Sequence, residues 1–139
     1  MTFVHSAAQT IKAHGKPAYI YHFGDLDPSG QDAARDIEAK LRRYAPEAEI
    51  HFERVAVTRQ QVEQWNLPTR PTKMTDPRAK KFQGTSVELD AIPAAQLRGL
   101  VRECIERHID KHQLEILRTA EKSERDLLLQ WGKTYGGRS

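Results

Sequence analysis

Apolar residues alternate between helical and strand-like spacing along the first half of the chain. Residues 3–14 carry apolar side chains at helical spacing and stop before Gly15, a residue suited to a helix C-cap. The aromatic-rich run 18–23 predicts a buried strand. Helical spacing returns over 31–44, and the alternation over 49–57 predicts a second strand.

Helix-start and turn signals divide the next part of the chain. Thr58 and Gln61 have the spacing of a capping box, which predicts a short helix that ends at 66–68. Residues 69–84 contain two prolines and few large apolar side chains, and this composition predicts a loop. Residues 86–89 predict a short third strand.

The remainder of the chain predicts mainly helix. Asp90 and Pro93 introduce a helix that we expect to continue, with room for a bend, to Leu129 or Trp131. The last residues, 132–139, predict a loose tail.

This order of elements indicates an α/β fold, in which a small, mostly parallel and partly Rossmann-like sheet is flanked by helices. A long C-terminal helix would follow the sheet. We expect an α/β core over 1–92, with a basic loop at 69–84. A helical segment over 93–131 and a flexible tail over 132–139 would complete the chain.

Composition narrows the class of protein. The chain has 139 residues, 38% hydrophobic and 29% charged, which is typical of a globular protein rather than a disordered one. No apolar run is long enough to span a bilayer, and no secretory signal is visible. Cys104 is the single cysteine, so an internal disulfide is impossible and a reducing cytoplasm is expected. A net charge of +3 permits an anionic partner without requiring one.

Two carboxylates follow the first predicted strand. Asp25 and Asp27 are two residues apart in an extended segment, so their side chains point to the same side. Such an oxygen-only pair suits Mg²⁺ or Mn²⁺. Ser29 and Gly30 open the next helix, where free N–H groups favour a phosphate. The alternative interpretation is structural: Asp27 caps this helix and Asp25 supports the turn.

Further candidates lie later in the chain. Glu88 and Asp90 follow the third predicted strand and could be metal ligands or acidic helix caps. The basic loop could bind the phosphate backbone of DNA, or could be a solvated loop. Its candidate residues are Arg70, Lys73, Arg78, Lys80 and Lys81.

The segment YHFGDLDPSG at 21–30 resembles the Asp-x-Asp motif of Toprim domains. It is most similar to those of type IIB topoisomerase A subunits, their meiotic homologues and bacterial Toprim-like proteins. Residues 56–68 and 87–91 look like later parts of the bacterial proteins. The resemblance implies that Asp25 and Asp27 bind Mg²⁺ and act in topoisomerase- or nuclease-type cleavage or transfer of DNA phosphodiesters.

The chain departs from this family pattern at one point. Toprim domains also use a glutamate at the end of an earlier strand, and here no glutamate precedes Asp25. We therefore expect either a piece of a longer protein or a pared-down domain. Glu88, as a catalytic group and ligand, or Asp90, as a ligand, would take the place of that glutamate.

Two other functions remain open from the sequence. The apolar stripe from Leu97 to Leu129 could dock a partner subunit or a second copy, with the aspartates only capping a helix. Asp-x-Asp also opens the motif of one phosphatase family, which would make Asp25 the nucleophile of a phosphatase-like hydrolase.

Overall fold

The computed structural model describes residues 2–72 and 84–136 and has a mixed α/β fold with a long C-terminal helix, which confirms the predicted fold class. Its helices and strands are α1 (Phe3–His14), β1 (Ala18–Phe23), α2 (Pro28–Tyr44), β2 (Ile50–Ala56), α3 (Arg59–Trp65), α4 (Ala94–Glu106) and α5 (Lys111–Trp131).

Local signals set the ends of the first helix. The His5 backbone N–H donates to Thr2 Oγ1 at 3.2 Å, which satisfies one of the free donors at the start of α1. Gly15 ends the helix in the left-handed conformation with φ 61°, where a side chain would be strained. The predicted bounds of α1 are therefore confirmed.

The core lies between α1, α2 and one face of the sheet. Ala8 of α1 packs in one buried cluster with Leu41, Ala45 and Ile50, and Ile20 of β1 joins it. Small residues let the two helices approach closely, since Ala8 and Ala45 are almost fully buried.

The described residues form one two-stranded sheet, in which β1 and β2 run parallel. Ala18 pairs with Ile50 and the register continues to His22 opposite Arg54; one extra residue of β2 then shifts it, so that Phe23 lies opposite Ala56. Side chains alternate across the sheet, so Ile20 faces the core while Tyr19 lies on the other face and stacks on His51 with ring centroids 4.7 Å apart. This register brings the carboxyl ends of both strands to one edge.

The prediction of a third strand at 86–89 is wrong. Ser86 and Val87 each form only an isolated antiparallel bridge, with Arg70 and Leu26 respectively. The chain then enters a 3₁₀ turn at Leu89–Ala91. The turn begins where the Leu89 N–H donates to the Asp25 carboxylate instead of to a neighbouring strand.

The predicted C-terminal helix is divided in two. Its second part, α5, starts at its own N-cap, where the Gln113 N–H donates to Asp110 Oδ1 at 2.8 Å. One π-helical turn, Gly132–Gly136, follows α5 where the sequence predicted a loose tail, and 137–139 lie outside the described residues.

The chain divides into two compact units, Met1–Leu97 and Arg98–Ser139. The sheet and the two aspartates belong to the first unit, and α5 belongs to the second. Across the described residues, none of the helices is both long and apolar enough to traverse a lipid bilayer.

Candidate functional site

The turn that joins β1 to α2 lies at the carboxyl edge of the sheet. Strand pairing continues into this turn, because the Gly24 N–H donates to Ala56 O at 2.9 Å and the Val57 N–H donates to Gly24 O at 2.8 Å. Ligands of open parallel sheets commonly bind at this edge. The two predicted aspartates therefore stand where a site is expected.

A pair of buried residues orients the two aspartates. Leu26 and Val87 exchange backbone hydrogen bonds of 2.7 and 3.0 Å, and both side chains are buried. Successive side chains of an extended segment point to opposite sides. The side chains of Asp25 and Asp27 consequently both point away from the side on which Leu26 is buried. In the same way, Glu88 points away from the side on which Val87 is buried.

Asp27 caps α2. The Gly30 N–H donates to Asp27 Oδ1 at 2.6 Å, and Pro28 occupies the start of the helix. The other oxygen, Oδ2, lies 3.3 Å from an Arg70 guanidinium nitrogen. The predicted capping role of Asp27 is confirmed, and one carboxylate oxygen remains outside the cap.

Asp25 connects the turn to the segment after Val87. The Leu89 N–H donates to Asp25 Oδ1 at 2.7 Å. Within residues 2–72 and 84–136, Asp25 Oδ2 has no hydrogen-bond partner. Each of the two aspartates thus uses one oxygen to fix the backbone; the second oxygen of Asp27 contacts Arg70, and that of Asp25 has no partner among the described residues.

Arg54 lies beneath this turn and fixes the backbone on both sides of it. Its guanidinium donates to Gly24 O at 3.2 Å, to Asp25 O at 2.6 Å and to Val57 O at 2.5 Å. Burial lowers the pKa of Arg54, and the negative charges of Asp27 and Asp25 partly oppose that shift. Sequence reasoning missed this role, although a basic residue where the alternation of β2 changes phase was the available signal.

Arg70 brings Glu88 to the site. Its guanidinium lies 3.3 Å from Asp27 Oδ2 and 3.7 Å from Glu88 Oε1. The backbone of Arg70 is fixed by two hydrogen bonds with Ser86, of 2.9 and 2.8 Å. Asp90 is exposed and lines a shallow cavity of about 260 Å³ together with Arg70 and Glu88.

The predicted phosphate and DNA contacts have different positions. The Gly30 N–H is engaged by the cap, whereas Ser29 is exposed in the first turn of α2. A Cβ on Gly30 would collide with the backbone oxygen of Asp25, so glycine allows the helix start to approach the turn. The other predicted contacts, Lys73, Arg78, Lys80 and Lys81, lie outside the described residues.

The donor set fits a hard divalent cation. Carboxylate oxygens are ligands that Mg²⁺ prefers, and it is often bound by one or two carboxylates completed by water and substrate phosphates. Among the residues that the structure describes, no group of three His, Cys, Asp or Glu side chains is arranged to hold a metal ion. A cation here would therefore use Asp25 and Asp27 as its protein ligands, with water or phosphate at the remaining positions.

Comparison with known proteins identified no relative: no protein-family model, no curated protein and no solved structure matches the chain.

Proposed function

We propose that the first unit is a Toprim-like, Mg²⁺- or Mn²⁺-binding domain that acts on DNA phosphodiesters, by topoisomerase- or nuclease-type cleavage or transfer within a larger protein. One observation carries the proposal: Asp25 and Asp27 each spend one oxygen on a backbone N–H and keep the other at the carboxyl edge of the sheet. Two carboxylates fixed in this way are preorganised for a cation.

The residues of the site have two kinds of role: some would bind the cation, and others position the residues that bind it. Asp25 and Asp27 would hold the cation, which when bound neutralises charge that develops on a phosphate. Arg54 holds the turn that carries both aspartates. Glu88 lies within 3.7 Å of Arg70 and is the described candidate for a third, catalytic carboxylate, with Asp90 farther along the same turn.

The partner and the compartment are part of the proposal. The basic residues between Arg70 and Lys81 would contact the DNA backbone, and this contact would weaken as salt increases. The single cysteine suits a reducing cytoplasm.

Cation binding by charge-neutral variants tests the proposal. Asp25→Asn and Asp27→Asn keep an oxygen that can accept the backbone N–H but remove the negative charge. We expect the double variant to lose Mn²⁺ binding, measured as the free-ion signal in electron paramagnetic resonance, while circular dichroism stays unchanged. Asp32→Asn, in α2, is the matched control and should bind Mn²⁺ like the wild type. Equal binding by the double variant and the wild type would contradict the proposal.

We also propose a second function, self-association of the chain through α5. None of the 21 residues of α5 is buried, although most of the stability of a helix in a protein comes from the packing of its apolar face. Its large exposed apolar side chains gather toward the two ends of the helix; they are Ile116, Leu117, Leu127, Leu128, Leu129 and Trp131. A second copy could bury these side chains.

Sedimentation equilibrium tests the self-association. We expect a dimer of the wild type that Leu128→Glu dissociates, because a carboxylate would be buried in the apolar contact. Thr119→Glu introduces the same charge at an exposed polar position of α5 and should leave the dimer intact. A monomeric wild type at high concentration would contradict self-association.

A further inference from the structure

Arg70 lies between two carboxylates of the site, those of Asp27 and Glu88. Its guanidinium lies between Asp27 Oδ2, at 3.3 Å, and Glu88 Oε1, at 3.7 Å. Both distances exceed the 2.7–2.9 Å that is typical of strong charge-assisted hydrogen bonds. Arg70 Nε is shielded from solvent and has no hydrogen-bond partner among the described residues. The guanidinium is therefore held by one long hydrogen bond to Asp27 and by the charge of Glu88.

The side chain of Arg70 can move without its backbone. The backbone exchanges two hydrogen bonds with Ser86, and Ser86 Oγ lies 2.9 Å from Thr72 Oγ1, which holds the two segments together. The Arg70 side chain, in contrast, is 37% exposed. A long, partly exposed side chain that starts from a fixed backbone can place its charged end in water.

We propose that Arg70 is the resident counter-ion of the Asp25/Asp27 site, and that a divalent cation replaces it and frees its guanidinium for a DNA phosphate. This inference rests on the proposed function. A divalent ion at Asp27 would repel the guanidinium beside it, because like charges a few ångströms apart raise each other's electrostatic energy. The displaced guanidinium, with its planar pair of donors, matches the oxygens of a phosphodiester.

The first consequence is competition between Arg70 and the cation. Arg70→Gln removes the charge and keeps a polar side chain, so its Mn²⁺ affinity should rise by roughly three- to tenfold over the wild type. Arg70→Lys keeps the charge and should bind Mn²⁺ close to the wild-type level. Arg35→Gln removes the same charge from an exposed position of α2 and should leave Mn²⁺ affinity unchanged.

The second consequence is that the cation switches on phosphate binding through Arg70. We expect Mg²⁺ to strengthen binding of a short single-stranded DNA oligonucleotide to the wild type, measured by fluorescence anisotropy. The gain should be smaller in Arg70→Gln, which retains only the direct contact of the cation with phosphate, whereas Arg35→Gln should keep the full gain. Inorganic phosphate, added at increasing concentration, should compete with the oligonucleotide if free phosphate is recognised equally well; failure to compete assigns the site to the nucleic-acid backbone.

The outcomes separate this inference from the function on which it rests. Mn²⁺ binding that is equal or weaker in Arg70→Gln than in the wild type would overturn the counter-ion role and leave the metal site standing. A Mg²⁺-dependent gain in DNA affinity that is as large in Arg70→Gln as in the wild type would overturn the phosphate role. Absence of Mn²⁺ binding in the wild type would overturn the metal site and the inference together.

Discussion

At the scale of single residues, the two aspartates show that a structural and a chemical role can coincide in one side chain. From the sequence, Asp27 could be a helix cap or a metal ligand. The structure confirms the cap, and it leaves Oδ2 of the same carboxylate outside the cap. A carboxylate has two oxygens and several acceptor positions, so a carboxylate that caps a helix can still bind a second group. Metal binding by Asp25 and Asp27 stays a prediction.

The turn between β1 and α2 requires a residue without a side chain at Gly30. In Gly30→Ala the new methyl group would collide with the Asp25 backbone oxygen, and we expect a loss of about 1–3 kcal/mol in the free energy of unfolding. Urea denaturation measures this loss. Gly99, within α4, has open space around its Cβ position, so Gly99→Ala should instead stabilise the protein by about 0.5–1 kcal/mol. A Gly30→Ala variant as stable as the wild type would show that the close approach is not tight.

His22 makes the stability depend on pH. Burial, assisted by the positive charge of Arg54, lowers the pKa of His22 below its ordinary value of 6.5. As pH falls below about 6.5, the unfolded chain takes up a proton that the folded chain resists, so stability should decrease. Urea denaturation near pH 7.5 and near pH 5 measures the decrease. His22→Gln should make this loss of stability at low pH smaller, whereas His14→Gln, at an exposed position, should leave it unchanged.

At the scale of elements, the sequence predicted what short-range signals determine. The end of α1 follows from Gly15. The capping box of α3 is present because Thr58 and Gln61 have the three-residue spacing that it requires. The third strand was predicted wrongly, since its bridging partners Leu26 and Arg70 come from other parts of the chain. The pattern of residues within a segment does not show which distant segment will pair with it.

Arg54 adds side-chain hydrogen bonds to the backbone pairing that joins the ends of the two strands. Its guanidinium donates to carbonyl oxygens of both turns, and hydrogen bonds of charged groups contribute more than neutral ones. We expect Arg54→Met to lower the free energy of unfolding by about 2 kcal/mol, measured by urea denaturation. Arg42→Met removes an exposed ion pair with Glu38 and should cost less than about 0.5 kcal/mol. Equal losses in the two variants would contradict the role of Arg54.

At the scale of the whole molecule, the net charge of +3 is too small to predict DNA binding without a local cluster. The predicted cluster includes Lys80 and Lys81. If both contact phosphates, the double variant Lys80→Ala/Lys81→Ala should reduce the slope of log affinity against log salt by roughly 1 per lost contact. Fluorescence anisotropy over a range of salt concentrations measures the slope.

The control for that experiment lies at the edge of the sheet opposite the two aspartates. Lys12 and Lys16 line a cavity of about 670 Å³ near the amino ends of the strands. Lys12→Ala/Lys16→Ala removes the same charge from the molecule, and we expect it to leave the salt slope unchanged. Equal slopes in both double variants would point to general charge attraction and not to the basic loop.

The hydrogen bond from the Leu89 N–H to Asp25 Oδ1, 2.7 Å long, has a practical consequence. An amide proton that bonds to a carboxylate changes its resonance frequency when that carboxylate is neutralised or shared with another positive group. In a nitrogen-15 correlation spectrum, the Leu89 peak would therefore serve as a natural sensor of events at Asp25. A diamagnetic Mg²⁺ titration should move this peak, and Asp25→Asn should abolish the movement, with nitrogen-15 enrichment as the only labelling that the protein needs.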